Sequence, residues 1–402
     1  MRYSNKYLLS GLLVLIAAVV IFWQFPQIPQ KLTFDELEFS RLALNLQKHP
    51  TVFSPEATGH ATPYFFLILA SFKIFGVNSF ALRLPAALFA MGCTWLTYAL
   101  FIKFFQKKEV AFLGGVTFIT LHWFFNFGRF AFEGSYLLFW ELLALYSIRL
   151  FLDERKGWYF NLGLFATVLT FYSYLPGRIF FVLPIVMLFM DAVKRKNYRS
   201  FAEFTSSFVF WILPLLLTTF KGEERINSLS FLSADLPFVT KIGMFVENVW
   251  KNIYMLFGAG DLNGRHNYPG KSALNPLLVS LLLLGLLNIR KNKNSTLMFL
   301  FWILAMIPSL FTYPSENPHF LRTLSTTAPI VFFITNGIQL LWKQKLNFVK
   351  GGLVLLLTLS MFYELRTYYH YQVPVFRKAF EIKKVELEKL SQSYEFKTIW
   401  NK

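Results

Sequence analysis

The groups in this chain best suited to chemistry are one Asp-Glu pair and four arginines that stand apart from the basic clusters. Asp35 and Glu36 occur in Thr33-Phe34-Asp35-Glu36-Leu37-Glu38, shortly after the first apolar run. A carboxylate at a membrane face can serve as general base or metal ligand. The same spacing also allows a structural role, with Thr33 capping a helix whose first turn carries the acids. Arg83 stands where an apolar run begins, and Arg129 lies in Gly128-Arg129-Phe130-Ala131-Phe132-Glu133. Arg178 closes Tyr172-Ser173-Tyr174-Leu175-Pro176-Gly177-Arg178, and Arg322 closes Glu316-Asn317-Pro318-His319-Phe320-Leu321-Arg322. A guanidinium suits phosphate because its planar fork meets two oxygens at once. Converging on one face, the four point to a lipid phosphate; taken singly, each reads equally well as a headgroup anchor.

Other polar residues stand beside these. Glu133 follows Arg129 by four positions, so the two share a helix face and can pair. Glu141, two turns on, either lines the same cavity or bonds a neighbouring helix. The stretch Gly258 to Gly270 is rich in turn formers and carries Asp261, Arg265, His266 and Asn267, donors and acceptors for a polar ligand. His266 reads equally as a plain loop residue. The six histidines show no metal-ligand spacing, and no HExxH, Walker A or GxGxxG motif is present.

The elements that must position these residues are membrane helices. The 402 residues are 55% hydrophobic and only 15% charged, with a mean hydropathy of +0.45. A soluble domain carries about 25% charged residues, so the composition excludes that class. The apolar runs are continuous rather than alternating, which excludes a β-barrel. The fold class expected is all-α, a polytopic transmembrane helix bundle of about 11 spans with outward-facing loops and interfacial helices. The spans fall at 7–25, 80–102, 109–127, 131–151, 158–175, 178–193, 205–220, 273–289, 296–313, 325–342 and 350–366. The stretch from Pro63 to Phe75 is too short to cross and belongs at the interface. Val239 to Phe257 has Ile242, Phe245, Val246, Val249, Ile253 and Leu256 at helical spacing, an amphipathic helix on the outer surface. Residues 1–366 form the membrane domain, with outer loops 26–79 and 221–272, and 367–402 form a short extracytoplasmic tail whose stretch 377–391 suits a soluble helix.

The net charge of +18 does not point to nucleic acid, because the Lys and Arg are spread over alternate loops. Those loops hold clusters such as Lys103/Lys107/Lys108 and Lys194/Arg195/Lys196/Arg199, and the loops between hold one Arg each. This asymmetry places the N-terminus in the cytoplasm and the lone arginines outside. Cys93 is the single cysteine, so no disulfide forms within the chain. Residues 7–25 read as an uncleaved first span, since Gln24-Phe25-Pro26-Gln27 makes a poor cleavage site.

In order along the chain, these features resemble one family: the bacterial protein-mannosyltransferase and aminoarabinose-transferase-like glycosyltransferases of the C-type superfamily. The resemblance covers most of residues 26–340. It rests on Asp35-Glu36, on Phe75-Gly76-Val77-Asn78-Ser79-Phe80-Ala81-Leu82-Arg83-Leu84-Pro85-Ala86-Ala87-Leu88, on Tyr174-Leu175-Pro176-Gly177-Arg178, on the loop from Gly260 to Gly270 and on His319-Phe320-Leu321-Arg322. It implies transfer of a hexosyl or pentosyl group from a polyprenyl-phosphate donor to a protein, lipid or glycan acceptor. The reaction would occur at the extracytoplasmic face of the plasma (inner) membrane. Asp35, with Glu36 beside it, would be the catalytic carboxylate; Arg129, Arg178 and Arg322, with Arg83, would hold the phosphate. Glu133, Tyr174, Asp261, Arg265, His266, Asn267 and His319 would meet substrate. A divalent cation such as Mg or Mn could sit on Asp35, Glu36 and Glu133. Departures exist: relatives often read Lys-Pro-Pro-Leu where this chain has Ala61-Thr62-Pro63-Tyr64, Glu133 stands near a common Asp, and some relatives carry a large soluble C-terminal domain. A transporter or flippase, or a polymerase or ligase, for lipid-linked saccharides is the alternative from the same residues.

Overall fold

Every apolar run named above is helical in the computed structural model, which describes residues 4–51, 62–219, 229–289, 292 and 294–400. In chain order the helices are α1 (Ser4–Phe22), α2 (Phe34–Lys48), α3 (Pro63–Phe75), α4 (Ser79–Phe105), α5 (Lys108–Thr120), α6 (His122–Phe127), α7 (Gly134–Glu154), α8 (Gly157–Phe171), α9 (Val182–Arg195) and α10 (Arg199–Thr219). They continue as α11 (Phe238–Tyr254), α12 (Pro276–Leu287), α13 (Ser295–Leu310), α14 (Thr327–Trp342), α15 (Asn347–Arg366), α16 (Gln372–Ala379) and α17 (Val385–Ser393). Among the described residues there is no strand, only isolated bridges at Leu32–Ile382 and Ser230–Thr312.

Six helical stretches are long and apolar enough to cross a membrane: Ser79–Phe105, Gly134–Glu154, Leu175–Arg195, Arg199–Leu217, Leu324–Trp342 and Asn347–Ala379. The others are shorter, so the expected eleven spans hold as helices but not all at spanning length. The run 109–127 is cut in two, because Leu121 takes an extended conformation between α5 and α6. Pro63–Phe75 is the short helix expected.

The centre of the bundle is α14, whose residues from Thr327 to Ile338 are all buried. It meets α12 at glycines. A Cβ on Gly285 would stand 1.8 Å from the Phe333 carbonyl oxygen, and one on Gly337 would stand 2.2 Å from that of Leu281. Only hydrogen fits, so the two backbones touch, the close approach by which apolar helices associate without water. Asn336 Nδ2 fixes the register by donating to the Gly285 carbonyl at 2.9 Å. By contrast, α10 and α15 expose Phe210, Leu217, Leu355 and Phe362, as lipid-facing helices do.

At one end of the bundle Arg155 and Arg195 both bond Asp191. At the other lie the loops that hold most of the expected site residues, here termed the site face. The tail packs over this face. It does not contain the single helix expected at 377–391: α16 stops at Ala379, the chain bridges Ile382 to Leu32, and α17 follows. Tyr394 Oη donates to Asn45 Oδ1 at 2.7 Å and Trp400 Nε1 to the Ile74 carbonyl at 2.9 Å.

Candidate active site

The two neighbouring acids separate at once. Thr33 and Glu36 form a capping box at the start of α2: Glu36 N–H donates to Thr33 Oγ1 at 3.0 Å, and Thr33 N–H donates to Glu36 Oε2 at 3.1 Å. That turns Glu36 inward and Asp35 outward. Glu36 is fully buried and takes Arg83 on both oxygens, at 2.7 and 3.1 Å, and the Ala131 N–H at 3.1 Å. Arg83 gives its other three N–H groups to the carbonyls of Pro26, Pro29 and Lys31. All five donors are occupied, so Arg83 braces the loop before α2 and has none left for a phosphate. Glu36 likewise has no face open to substrate or cation. Both expectations are corrected by the same pair.

Arg129 is corrected for a related reason. Its Nη1 donates to the Val20 and Ile21 carbonyls, its Nη2 to that of Trp23 at 2.8 Å, and its Nε to Tyr368 Oη at 3.1 Å. It caps the carbonyl end of α1, where a cation is favoured, and lies over the Tyr368 and Tyr369 rings. It does not pair with Glu133 as expected, since its donors point the other way.

Asp35 stays accessible, its side chain 48% exposed, and lies 3.3 Å from Arg265 Nη1. Arg265 also donates to the Ala379 carbonyl and, through Nη2, to both oxygens of Glu381. The first loop, the long second loop and the tail therefore meet on one guanidinium. Glu381 was not visible as a site residue in the sequence, because the tail carries no motif.

Behind Arg265 lies a buried cluster. His266 Nδ1 and Asp261 Oδ2 are 2.8 Å apart, and Phe320 N–H donates to the same oxygen at 2.8 Å. Burial opposes the charged form of Asp261, but the His266 hydrogen bond, the electrostatic pull of the two imidazoles and the Phe320 N–H outweigh it and hold the carboxyl below its ordinary range. His319 accepts the Arg322 N–H on Nδ1 at 3.1 Å, so its neutral ring carries the proton on Nε2. Burial, then the charges of His266 and Arg322, push its pKa well below the ordinary value. Asn267 donates to the Asp261 and Lys271 carbonyls, closing the loop on itself; its amide nitrogen is not available for substrate.

Ligand-type atoms of Asp261, His266 and His319 lie within 4.8 Å of one another, a possible metal-binding triad. Two imidazoles with one carboxylate suit zinc or a similar transition metal, whereas Mg and Mn favour oxygen donors. His266 would ligate through Nε2, whose lone pair is free while Nδ1 meets Asp261, whereas His319 would first have to give up either the Nε2 proton or the Arg322 N–H on Nδ1.

Of the four arginines expected to hold phosphate, Arg322 and Arg178 have donors remaining. Arg322 Nη1 donates to Thr312 Oγ1 at 3.1 Å, and its Nη2 is 3.7 Å from Glu316. Arg178 stands over the Phe171 ring at 5.7 Å, and its buried Nε has no hydrogen-bond partner. The turn holding Arg178 packs on α7 at Leu137, and the turn at 321–324 packs on Gly134, next to Glu133. Glu133 is buried there and acts electrostatically on both Arg178 and Tyr64. Tyr174 lies in the same turn as Arg178 and is half-buried. Tyr64, which no sequence motif marks, is fully buried against Tyr136, with its hydroxyl lacking a partner. Ala61, where relatives often carry a Lys, lies outside the described residues. Glu141 is buried on α7 and acts electrostatically on Ser325, in the turn after Arg322.

The family model described as dolichyl-phosphate-mannose-protein mannosyltransferase matches residues 60–217. No curated relative matches. Two solved structures of ArnT from Cupriavidus metallidurans share the fold. The one bound to undecaprenyl phosphate is 11% identical, with a TM-score of 0.54 over 95% of this chain and 78% of that one. The apo state is 12% identical, with a TM-score of 0.53 over 96% of this chain and 78% of that one. The matched segment and the shared fold agree with the resemblance read from the sequence.

Proposed function

We propose that this chain is an integral membrane glycosyltransferase that moves a sugar from a polyprenyl-phosphate donor to an acceptor at the extracytoplasmic face. The observation that carries the reading is the division among the ionisable groups of the site face. Asp35, Arg178 and Arg322 keep atoms free for a ligand, while Glu36, Arg83 and Arg129 are fully used by the protein. The family match over 60–217 and the ArnT-like fold support the same reaction class.

In this reading Asp35 accepts the proton of the acceptor's hydroxyl or amine as that atom attacks the anomeric carbon. The bond from the sugar to the phosphate oxygen breaks, and the polyprenyl phosphate leaves with the electron pair. Arg178 and Arg322 stabilise the charge that develops on it. Direct displacement inverts the anomeric centre. Arg265 holds Asp35 in place, and Glu133, Tyr174 and His319 meet the sugar. A zinc-type ion on the triad would supply Lewis-acid stabilisation beside Arg322.

The test is purified protein in lipid discs given radiolabelled polyprenyl-phosphate sugar and an extract of acceptors. Label passing to an acceptor, and stopping with Asp35→Asn, supports the proposal. Movement of intact donor between leaflets without cleavage overturns it in favour of a transporter.

A further inference from the structure

Helix α11 presents two unlike faces. Phe238, Val239, Ile242, Val246, Trp250 and Ile253 form a stripe along one side, from 44% exposed at Ile253 to 79% at Val239. The cations of the helix turn away from it: Lys241 Nζ donates to the Leu232 carbonyl and Lys251 Nζ to that of Pro314, each at 2.8 Å. Trp250 and Tyr254 stack at 5.6 Å along the stripe, the aromatic type enriched at the membrane–water boundary. A contiguous apolar face of this kind on a chain in water would be an interaction site.

The opposite face is a buried polar node. Asn248 is fully buried; its Nδ2 donates to the carbonyls of Leu310 and Thr312, and its Oδ1 accepts from Asn317 Nδ2 at 2.9 Å. Asn317 also bonds Ser309 and Thr312 Oγ1. That Thr312 oxygen is the one that receives Arg322 Nη1. The chain from α11 to the candidate phosphate arginine is thus three side chains long.

We propose that α11 is a lipid-seated positioning element. Its stripe lies among the acyl chains of the bilayer, and Asn248, through Asn317 and Thr312, fixes the guanidinium of Arg322. Bilayer lipid is the occupant because α11 is bonded to the end of α13, whose flank exposes Phe299 and Ile303. No charged group interrupts the stripe. The positioning half rests on the glycosyltransferase reading, whereas the lipid half does not.

The experiment has two arms. Nitroxides placed on Cys at Val239, Val246 and Ile253, in a Cys93→Ser background in phospholipid vesicles, report collisions with oxygen and with a water-soluble nickel chelate. Oxygen-dominated relaxation at all three, against nickel-dominated relaxation at Glu388, supports lipid seating. Nickel dominance at the stripe overturns it, as does protection from both reagents, the sign of a second copy covering the face. In the second arm, binding of a polyprenyl phosphate is measured for Asn248→Ala, Arg322→Ala and the double variant. Asn248→Ala is expected to weaken binding about tenfold, within the range for losing a bond to a charged group. The double variant should then bind no more weakly than Arg322→Ala alone. Additive losses would show that Asn248 acts on stability rather than through Arg322. If Arg322→Ala alone leaves binding unchanged, the phosphate assignment fails and Asn248's role with it, while the nitroxide arm still judges the stripe.

Discussion

Asp35 and Arg265 stand 230 residues apart in the chain and 3.3 Å apart in the structure. Asp35 is reached from open solvent, whereas Glu36 beside it is sealed in a buried ion pair. Asp35→Asn should therefore remove sugar transfer by a factor of about 100 to 10,000, the usual worth of a positioned base, with the melting temperature unchanged. Glu36→Gln should do the reverse and cost stability first. Transfer assays beside thermal melts of the two variants decide it; equal melting losses would remove the distinction.

The four arginines should also fall into two pairs. Arg83→Ala and Arg129→Ala each leave buried acceptors uncompensated; for Arg83 the orphaned partner is a carboxylate, at a cost of about 3–5 kcal/mol. Neither Lys variant should rescue fully, because an ammonium cannot reach the spread of carbonyls a guanidinium serves. Arg178→Ala and Arg322→Ala should instead raise the donor KM, roughly tenfold or more, and leave the fold intact. Expression yield, melting and donor titration for the set give the comparison.

Acid should loosen the loop cluster. His319 has a pKa depressed below its ordinary 6.5, so the folded ring binds fewer protons than the unfolded one. Its contribution is fully present above that value and is lost as pH falls toward the folded pKa. Asp261, also depressed, contributes above about 3.8 and loses that as pH falls through its own folded value. Melting temperature should drop from pH 7 to pH 4.5 in the parent protein. His319→Gln should flatten the profile over that range, and an unchanged slope in the variant would refute the assignment.

The crossing of α12 and α14 leaves no space at its glycines. Gly285→Ala and Gly337→Ala should each destabilise the protein by about 1–3 kcal/mol or more, since backbone must move to admit a methyl group. Gly351→Ala is the control, because its Cβ would meet nothing within 4 Å. Comparable melting for all three variants would argue against a tight crossing.

Composition and the length of apolar runs determined the class of this protein, because a helix crossing lipid must close its backbone hydrogen bonds internally. The capping pattern Thr33 to Glu36, the short helix 63–75 and the amphipathic surface helix were readable for the same reason, being local. Sequence spacing also marked the lone arginines, but it could not say which would be free. That was decided by tertiary packing: Arg83 met a buried carboxylate and three carbonyls, Arg129 met the end of α1, and Arg178 and Arg322 met too few acceptors to use their donors. The assembly of Asp261, His266 and His319 was hidden likewise, because no local spacing brings a second-loop pair to a turn more than fifty residues on. A guanidinium has the same chemistry at every position in the chain. Only the fold sets how many of its five N–H groups the protein has already taken.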